Sequence, residues 1–376
     1  MFRRFSAIAA STALALSLGI AAISSGSAGA AQVQSYIVVL ERGTPDVAGM
    51  AARAARAHGG QVGFVYEHAL QGFSMRMSPQ AAAALARTPR VAYVETDDPV
   101  SIDAHTVPTG IQRIFAPGNA KLDIDGTDDF RVDVDVAVID TGVDLDHPDL
   151  NVVGGVTCAE SGGGPPWART ATCSTGGDDD HYHGTHVAGT IAALDNDIGV
   201  VGVAPGARIW AIKVLSSSGS GSEAMVVAGI DWVAANAGTI EVANMSLGGS
   251  GFSQAEYDAI QGAVNAGVAF AVAAGNSDAD AKNYSPAGFN NVLTVSALAD
   301  FDGKPGGLGS PTCRTDQDDT LADFSNWGSV VDIAAPGVCI LSTYPVGQGS
   351  YGTISGTSMA SPHAAGALAL LASRNN

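Results

Sequence analysis

Hydrophobic positions in residues 105–376 form short continuous runs, separated by stretches in which apolar and polar positions recur at helical spacing. The apolar runs predict strands buried on both faces, at residues 134–139, 208–215, 241–247, 268–274 and 292–297. The intervening stretches predict helices at residues 185–194, 222–236 and 253–266. This alternation predicts an α/β fold, with a mostly parallel sheet and helices on both faces.

Residues 32–104 have a different pattern, in which shorter alternating runs predict strands at residues 35–40, 61–66, 72–77 and 91–95. Helical stretches follow the first and third of these runs. The order βαββαβ predicts a small α+β, ferredoxin-like domain that precedes the larger one. The acidic stretch 95–103 then reads as a linker, and the larger domain is expected to occupy residues 105–376.

Residues 1–31 have the pattern of a secretory signal peptide. Arg3 and Arg4 precede an apolar segment, and small residues at positions 28–30 form a cleavage site. The apolar segment is short for a membrane span, and no second candidate follows it. We therefore expect a secreted, extracellular protein without a membrane anchor.

Composition narrows the classes of partner. The formal net charge of −19 argues against a nucleic-acid partner, because phosphate binding requires basic patches. The four cysteines form no CxxC motif, and disulfides persist in secreted proteins. Of the three pairings, the local one closes the shortest loops and is favoured, with free thiols as the alternative. It joins Cys158 to Cys173 and Cys313 to Cys339.

Three short motifs carry the candidate chemistry. Asp140 ends a predicted buried strand, at the sheet edge where sites form in α/β proteins. His183 lies just before an apolar helix, and Ser358 lies in the first turn of the helix that contains the apolar run 364–372. At a helix start the backbone N–H is unpaired and able to bind an oxyanion. An orienting Asp, a His base and a Ser nucleophile form the triad of acyl transfer.

In this order and spacing, the three motifs resemble those of the subtilisin-like serine proteases (subtilases, of the proteinase K/subtilisin type), over about residues 107–373. The resemblance implies that Ser358 is the nucleophile and that His183, rather than His186, is the base. Asp140 would orient that base, and Asn276 matches the side chain that donates to the oxyanion.

The resemblance extends to the domain at residues 32–104, which is similar to the inhibitory propeptide of the family. That similarity implies an intramolecular chaperone and inhibitor that the enzyme removes, near Ala104. The implied partners are this propeptide and polypeptide substrates. We expect a monomer that needs no organic cofactor.

Segments of small residues would hold an extended peptide by adding its backbone to exposed edges. For the segment at residues 218–220, a flexible linker is the alternative. The candidate substrate-binding residues are Ser218, Gly219 and Ser220, then Ser246, Leu247 and Gly248, and finally Ala273, Ala274 and Gly275 beside Asn276.

A structural calcium site is a further candidate that rests on the resemblance. Residues 194–200 resemble the family's calcium loop, and calcium prefers oxygen ligands. The candidate ligands are Asp149, Leu194, Asn196, Ile198 and Val200. The N-terminal glutamine ligand of subtilisin falls near His105, so a retained site and a lost one both stay open.

Other features have simpler interpretations. Zinc at His181, His183 and His186 is disfavoured, because their spacing lacks the H-E-x-x-H pattern. Aspartates 178–180 are expected to form a solvated loop face that at most raises the pKa of His183. Residues 253–256 have the pattern of a capping box, in which Glu256 would bond back to the helix start.

The chain ends at Asn376, 18 residues after Ser358, whereas subtilases usually continue further. A truncated chain and a shorter ending both account for this; if the apolar residues of the helix at 364–371 lose their cover, stability is expected to fall.

These features together predict a secreted serine endopeptidase, made as a self-processing zymogen, that hydrolyses peptide bonds through an acyl-enzyme intermediate. The alternatives are a non-catalytic secreted binding protein on the same scaffold and, ranked lower, an esterase, because the G-x-S-x-G elbow is missing.

Overall fold

The computed structural model describes residues 33–67, 70–97, 105–161 and 170–373. The predicted signal peptide and the predicted processing site near residue 104 lie outside the described residues. The chain forms two compact units, residues 1–100 and 101–376. In the part of the chain that the structure describes, no helix is both long enough and apolar enough to cross a membrane.

The smaller unit has the predicted order of elements, because its alternating strands bury one face against two helices. Its antiparallel sheet has the strand order β2-β3-β1-β4, and the fully buried side chains of Val38, Phe73 and Met75 belong to its core. The elements are β1 (Gln34–Leu40), α1 (Val47–His58), β2 (Gln61–Tyr66), β3 (Gly72–Met77), α2 (Pro79–Leu85) and β4 (Val91–Thr96).

The larger unit begins with a short helix and then alternates strands and helices. Its first elements are α3 (Thr109–Arg113), β5 (Asp135–Asp140), β6 (Val152–Ser161), β7 (Thr170–Thr175), α4 (His183–Ala192), β8 (Arg208–Lys213), α5 (Glu223–Ala235) and β9 (Val242–Met245). Next come β10 (Gly249–Ser250), α6 (Gln254–Asn265), β11 (Ala269–Ala273), β12 (Tyr284–Ser285) and β13 (Leu293–Ala299). The last are β14 (Thr320–Leu321), β15 (Ile333–Pro336), β16 (Ile340–Thr343), β17 (Tyr351–Ile354) and α7 (Thr357–Ser373).

A nine-stranded sheet organises this unit, with the order β14-β13-β11-β9-β5-β8-β6-β7 and β15 also paired to β13. The central pairs are parallel, whereas β6–β7 and β13–β14 are antiparallel. Separate apolar clusters cover the sheet: one includes residues of α4 and α7, and the other residues of α5 and α6. The predicted α/β fold with helices on both faces is confirmed.

Helix α7 is buried over most of its first three turns. It packs against α4 and against strands β9, β11, β13 and β15, and its small side chains allow this close approach. Ala364, Ala365 and Ala369 are buried, whereas Leu371 is 55% exposed. Among the described residues, the exposed large apolar side chain of this helix therefore lies near its end.

Two disulfides join residues that are close in sequence. Cys158 and Cys173 lie opposite each other on β6 and β7, and Cys313 pairs with Cys339. This is the local pairing that the sequence favours. Each disulfide closes a loop of the larger unit only.

Candidate active site

Asp140 and His183 meet at the carboxyl edge of the central strands. Asp140 is the last residue of β5 and is fully buried, and His183 is the first residue of α4. The Nδ1 atom of His183 lies 2.8 Å from Oδ1 of Asp140. That oxygen also accepts the backbone N–H of Thr141. A proton on Nδ1 therefore leaves Nε2 as the free base of the ring.

The environment of His183 favours its protonated form. Burial of the ring lowers the pKa of His183, but the charge and hydrogen bond of Asp140, together with the charge of Asp179, raise it by more. The net pKa lies above the ordinary histidine value. This arrangement stabilises an imidazolium of the kind that forms when a histidine removes a proton.

Asp179 was predicted to belong to a solvated loop face, and that prediction is wrong for this residue. Asp179 is 8% exposed, and its carboxylate bonds to Thr141, which follows Asp140, and to Thr185, close after His183. Oδ1 accepts the Thr141 hydroxyl, while Oδ2 accepts both the N–H and the hydroxyl of Thr185. Asp179 thus joins the end of β5 to the first turn of α4. The predicted effect on the pKa of His183 has the right sign.

The same carboxylate holds the turn just before His183. Its Oδ1 accepts the N–H groups of His181 and Tyr182. Tyr182 has a φ of 146°, which is unfavourable for any residue other than glycine. The Asp179 bonds and a stack of the Tyr182 ring on Tyr344 hold this strained conformation.

Ser358 is the second residue of α7, as predicted from the sequence. It lines a cavity of about 560 Å³ with His183 and Asn276. Its hydroxyl donates to the backbone carbonyl of Ser246 at 3.2 Å rather than to His183. The Ser246 hydroxyl in turn donates to the Ser358 carbonyl at 2.8 Å, which ties the end of β9 to the start of α7.

Two nitrogen atoms that carry N–H groups lie near each other at the start of α7: the Asn276 amide nitrogen and the Ser358 backbone nitrogen. The Asn276 Oδ1 atom accepts the N–H and the hydroxyl of Thr357, so the amide nitrogen occupies the other branch of the side chain. A Cβ built on Gly356 would lie 3.6 Å from the Ser358 nitrogen and 3.7 Å from the Asn276 Nδ2. Both donors therefore border one small volume, as binding of an oxyanion requires.

Two cavities lie on either side of the Ser246–Gly248 segment, which lines both of them. The first, of about 250 Å³, is distinct from the cavity that Ser358 shares with His183; it is lined by Ser358 together with Ala273, Ala274 and Gly275. The second cavity, of about 540 Å³, extends from His183 past Gly219 and Ser220. All the predicted substrate-binding residues except Ser218 line one of these cavities.

Ser218 instead pairs its hydroxyl with that of Ser216. Sequence reasoning missed other lining residues, because strand pairing brings them in from distant positions. Tyr284 and Ser285 line the cavity beside Ser358, since β12 pairs with β10. Glu223 and Glu256 line the cavity of about 540 Å³; no motif marked Glu223, and Glu256 was predicted only as part of a capping box.

The candidate calcium ligands also lie together. Asp149 is fully buried, and its two carboxylate oxygens accept the Asn196 amide and the Val200 N–H at 3.0 Å each. Burial raises the pKa of Asp149 to about 7, although these and other hydrogen bonds lower it. Among the described residues no cationic side chain pairs with this carboxylate. His105 instead contacts Asp195 at 3.2 Å.

Two other histidines near the site are buried rather than reactive. His186 contacts the Ile340 carbonyl, and burial lowers its pKa to about 3. His363 contacts the Met359 carbonyl one turn earlier in α7, and burial lowers its pKa to about 4. Both rings are neutral in this environment, and only His183 of the three is directed at a carboxylate.

Comparison with known proteins gives matches over both units. Residues 132–376 match the model described as Subtilase family, and residues 35–103 match the model described as Peptidase inhibitor I9. The alkaline protease of Shouchella clausii is 40% identical over 302 residues, covering 80% of this chain and 69% of the relative. Subtilisin E of Bacillus subtilis (strain 168) is also 40% identical over 302 residues, covering 80% and 70%.

A solved structure described as "a cold adapted subtilisin-like serine proteinase" is 41% identical, with a TM-score of 0.52. The similarity covers 66% of this chain and 78% of that one. The fold, the site and these matches define a serine endopeptidase preceded by an inhibitor-type propeptide domain. The chain belongs to the subtilase family.

Proposed function

We propose that Asp140, His183 and Ser358 form the catalytic triad of this endopeptidase. The observation that carries the proposal is the hydrogen bond from the His183 ring to the buried Asp140, in the cavity that Ser358 also lines. For catalysis the Ser358 hydroxyl turns from the Ser246 carbonyl towards Nε2 of His183. A substrate carbonyl that enters the cavity then meets both groups.

In the first half of the reaction, Ser358 Oγ attacks the carbonyl carbon of a peptide while His183 takes the hydroxyl proton. Asn276 and the Ser358 N–H donate to the oxyanion, and Asp140 stabilises the imidazolium. His183 then gives its proton to the leaving amine as the C–N bond breaks. Water, deprotonated by the same ring, hydrolyses the acyl-enzyme and restores the serine.

The decisive experiment substitutes the nucleophile. Ser358→Ala is expected to abolish cleavage of peptides and labelling by a fluorophosphonate. A matched control is Ser373→Ala at the other end of α7, whose hydroxyl donates only to a backbone carbonyl within the helix. Proteolysis retained in the purified Ser358→Ala protein would refute the triad. Absence of label in the folded wild-type protein would favour a non-catalytic binding protein. The observation consistent with that alternative is that the Ser358 hydroxyl donates to Ser246 rather than to His183.

We further propose that the protein is secreted and monomeric, and that it removes its own propeptide. The match of residues 35–103 to an inhibitor domain supports the zymogen. The Ser358→Ala variant should therefore accumulate with residues 32–104 attached, whereas the wild type should lose them. Mass spectrometry of the protein in the culture medium measures both termini at once.

A structural calcium ion at the Asp149 loop is a further part of the proposal. The donor set fits, because it combines one carboxylate, the Asn196 amide oxygen and backbone carbonyls of a tight loop. A buried carboxylate without a cationic partner also favours a bound cation. Asp149 and Asn196 would bind through their side chains, with carbonyls of Leu194, Ile198 and Val200. The ion would stabilise the loop and take no part in the reaction.

A further inference from the structure

The cavity of the substrate cleft that extends from His183 past Gly219 is also lined by two glutamates. Glu223 is the first residue of α5 and Glu256 lies in the first turn of α6, and both line the cavity of about 540 Å³. We call Glu223 and Glu256 the acidic pair. No lysine or arginine is among the described residues that line this cavity. The pair is therefore an uncompensated negative charge within the cleft.

Glu256 is buried without a partner. It is 5% exposed, and its carboxylate makes no hydrogen bond or ion pair with any described residue. The sequence predicted that it would close a capping box by accepting the N–H of Ser253. The structure has only half of that box: the Ser253 hydroxyl accepts the Glu256 N–H, but the Ser253 N–H donates to the hydroxyl of Ser285. The Glu256 carboxylate is thus left to face the cavity.

Glu223 reinforces this charge. It is exposed on α5 and accepts the hydroxyl of Ser253, which fixes it beside the start of α6. Burial raises the pKa of Glu256 to about 7, and the charge of Glu223 adds to that rise. A cation placed between the two carboxylates would reverse both effects, because it offsets the lost hydration and the repulsion.

The rest of the lining suits a long side chain with an apolar stem. Val226, Leu247 and Phe252 line the same cavity as the acidic pair. Lysine and arginine bury their methylene groups on such surfaces while their charged ends reach polar partners. The Ser246–Gly248 segment borders both this cavity and the one beside Ser358. One extended peptide lying along that segment can therefore place alternate side chains in both cavities.

We propose that the acidic pair selects a lysine or arginine side chain of the substrate, at a position away from the bond that is cleaved. The buried Glu256 is the ion-pairing and hydrogen-bonding residue, and the exposed Glu223 adds a second negative charge beside it. This inference rests on the proposed function, because it assumes that the cleft beside Ser358 binds the peptide. It adds a determinant of specificity that neither the triad nor the family match defines.

The test uses fluorogenic peptides that differ at one position only, with lysine or the uncharged norleucine at each site of the peptide in turn. Assays are run above the pKa of Glu256 with the mature wild-type enzyme. One position is expected to favour lysine over norleucine by about tenfold in kcat/KM, the size expected of one charged hydrogen bond. Absence of a preference at every position would overturn the inference.

Variants assign the preference to the acidic pair. In the double variant Glu223→Gln/Glu256→Gln, the lysine-to-norleucine ratio is expected to fall to about one. Asp258→Asn removes an exposed carboxylate from the same helix and is expected to keep the wild-type ratio. A ratio that persists in the double variant would refute the assignment. If Glu256→Gln does not fold, the exposed Glu223→Gln alone should lower the ratio severalfold, and an unchanged ratio there would also refute it.

Failure of this inference differs from failure of the proposed function. If the wild type cleaves the norleucine peptides and takes a fluorophosphonate label, but lysine gives no advantage anywhere, only the selectivity is wrong. If it cleaves no peptide and takes no label, the proposed function fails, and the inference fails with it.

Discussion

Replacing Asp179 with asparagine tests whether this buried carboxylate positions the triad. The substitution keeps the size of the side chain but turns one acceptor oxygen into an N–H donor. If the new amide replaces Oδ2, it faces the N–H and the hydroxyl of Thr185, two donors to the present carboxylate. The hydroxyl can rotate to accept, but the backbone N–H cannot, so one buried donor is left facing another.

The magnitude follows from these bonds. A hydrogen bond to a charged group contributes about 1.5–3 kcal/mol, and an unsatisfied buried donor costs about 1–3 kcal/mol. Allowing for the rotating hydroxyl, we expect Asp179→Asn to lower the free energy of unfolding by about 2–4 kcal/mol. At roughly 2–4 °C per kcal/mol, calorimetry should detect a fall in Tm of roughly 5–15 °C.

The same variant changes the pH profile of activity. Because the Asp179 charge helps to raise the pKa of His183, its removal lowers that pKa. Activity requires the neutral ring, so the acid limb of kcat/KM should move to lower pH. Asp178→Asn is the matched control, since its carboxylate is exposed and receives only a long 3.4 Å contact from the Leu145 N–H. An Asp179→Asn protein with unchanged Tm and acid limb would refute the positioning role.

Three further predictions follow from the site and its surroundings. Asn276→Leu should lower kcat by about 10²–10³ with little change in KM; this fall in kcat is carried over from the corresponding donor of subtilisin itself. A rise in KM with kcat unchanged would indicate that Asn276 serves substrate binding instead. A chelator should lower the Tm of the wild type, by roughly 2–4 °C for each kcal/mol that bound calcium supplies, but not that of Asp149→Ala; equal shifts in both would exclude the Asp149 loop. Replacing Cys158 and Cys173 with serine should lower stability by about 3 kcal/mol, the loop-closure value for a crosslink of this span; calorimetry of the double variant would contradict this if its Tm were unchanged.

The sequence predicts the positions of the proposed triad residues at strand and helix ends, because each residue lies in a short local motif. Asp140 follows an apolar run, and His183 and Ser358 start apolar helices, so strand and helix ends alone bring them to one sheet edge. Parallel pairing of β5 with β8 and β9 then makes that edge continuous. The fold class could be predicted for the same reason, since apolar periodicity is a local signal.

The supporting residues could not be predicted, because their roles depend on contacts across long stretches of chain. Asp179 bonds to Thr141, 38 residues earlier. Nothing in the sequence of the three consecutive aspartates indicates which of them makes this contact. The capping box at Ser253 and Glu256 is only half formed, because Ser285 supplies the acceptor that Glu256 was predicted to supply. In both cases a tertiary hydrogen bond decided between two local possibilities.

The sheet topology also has a consequence for how the active site is assembled. Strand β5, which carries Asp140, pairs only with strands more than 60 residues later, and α7, which carries Ser358, packs across strands β9 to β15. Domains dominated by such distant contacts fold slowly, because loop closure must precede the stabilising contacts. Under the proposed mechanism, Ser358 meets His183 only when nearly the whole larger unit is in place. Catalytic activity therefore reports completed folding, and the chain has little means of cutting its neighbours while it is still being built.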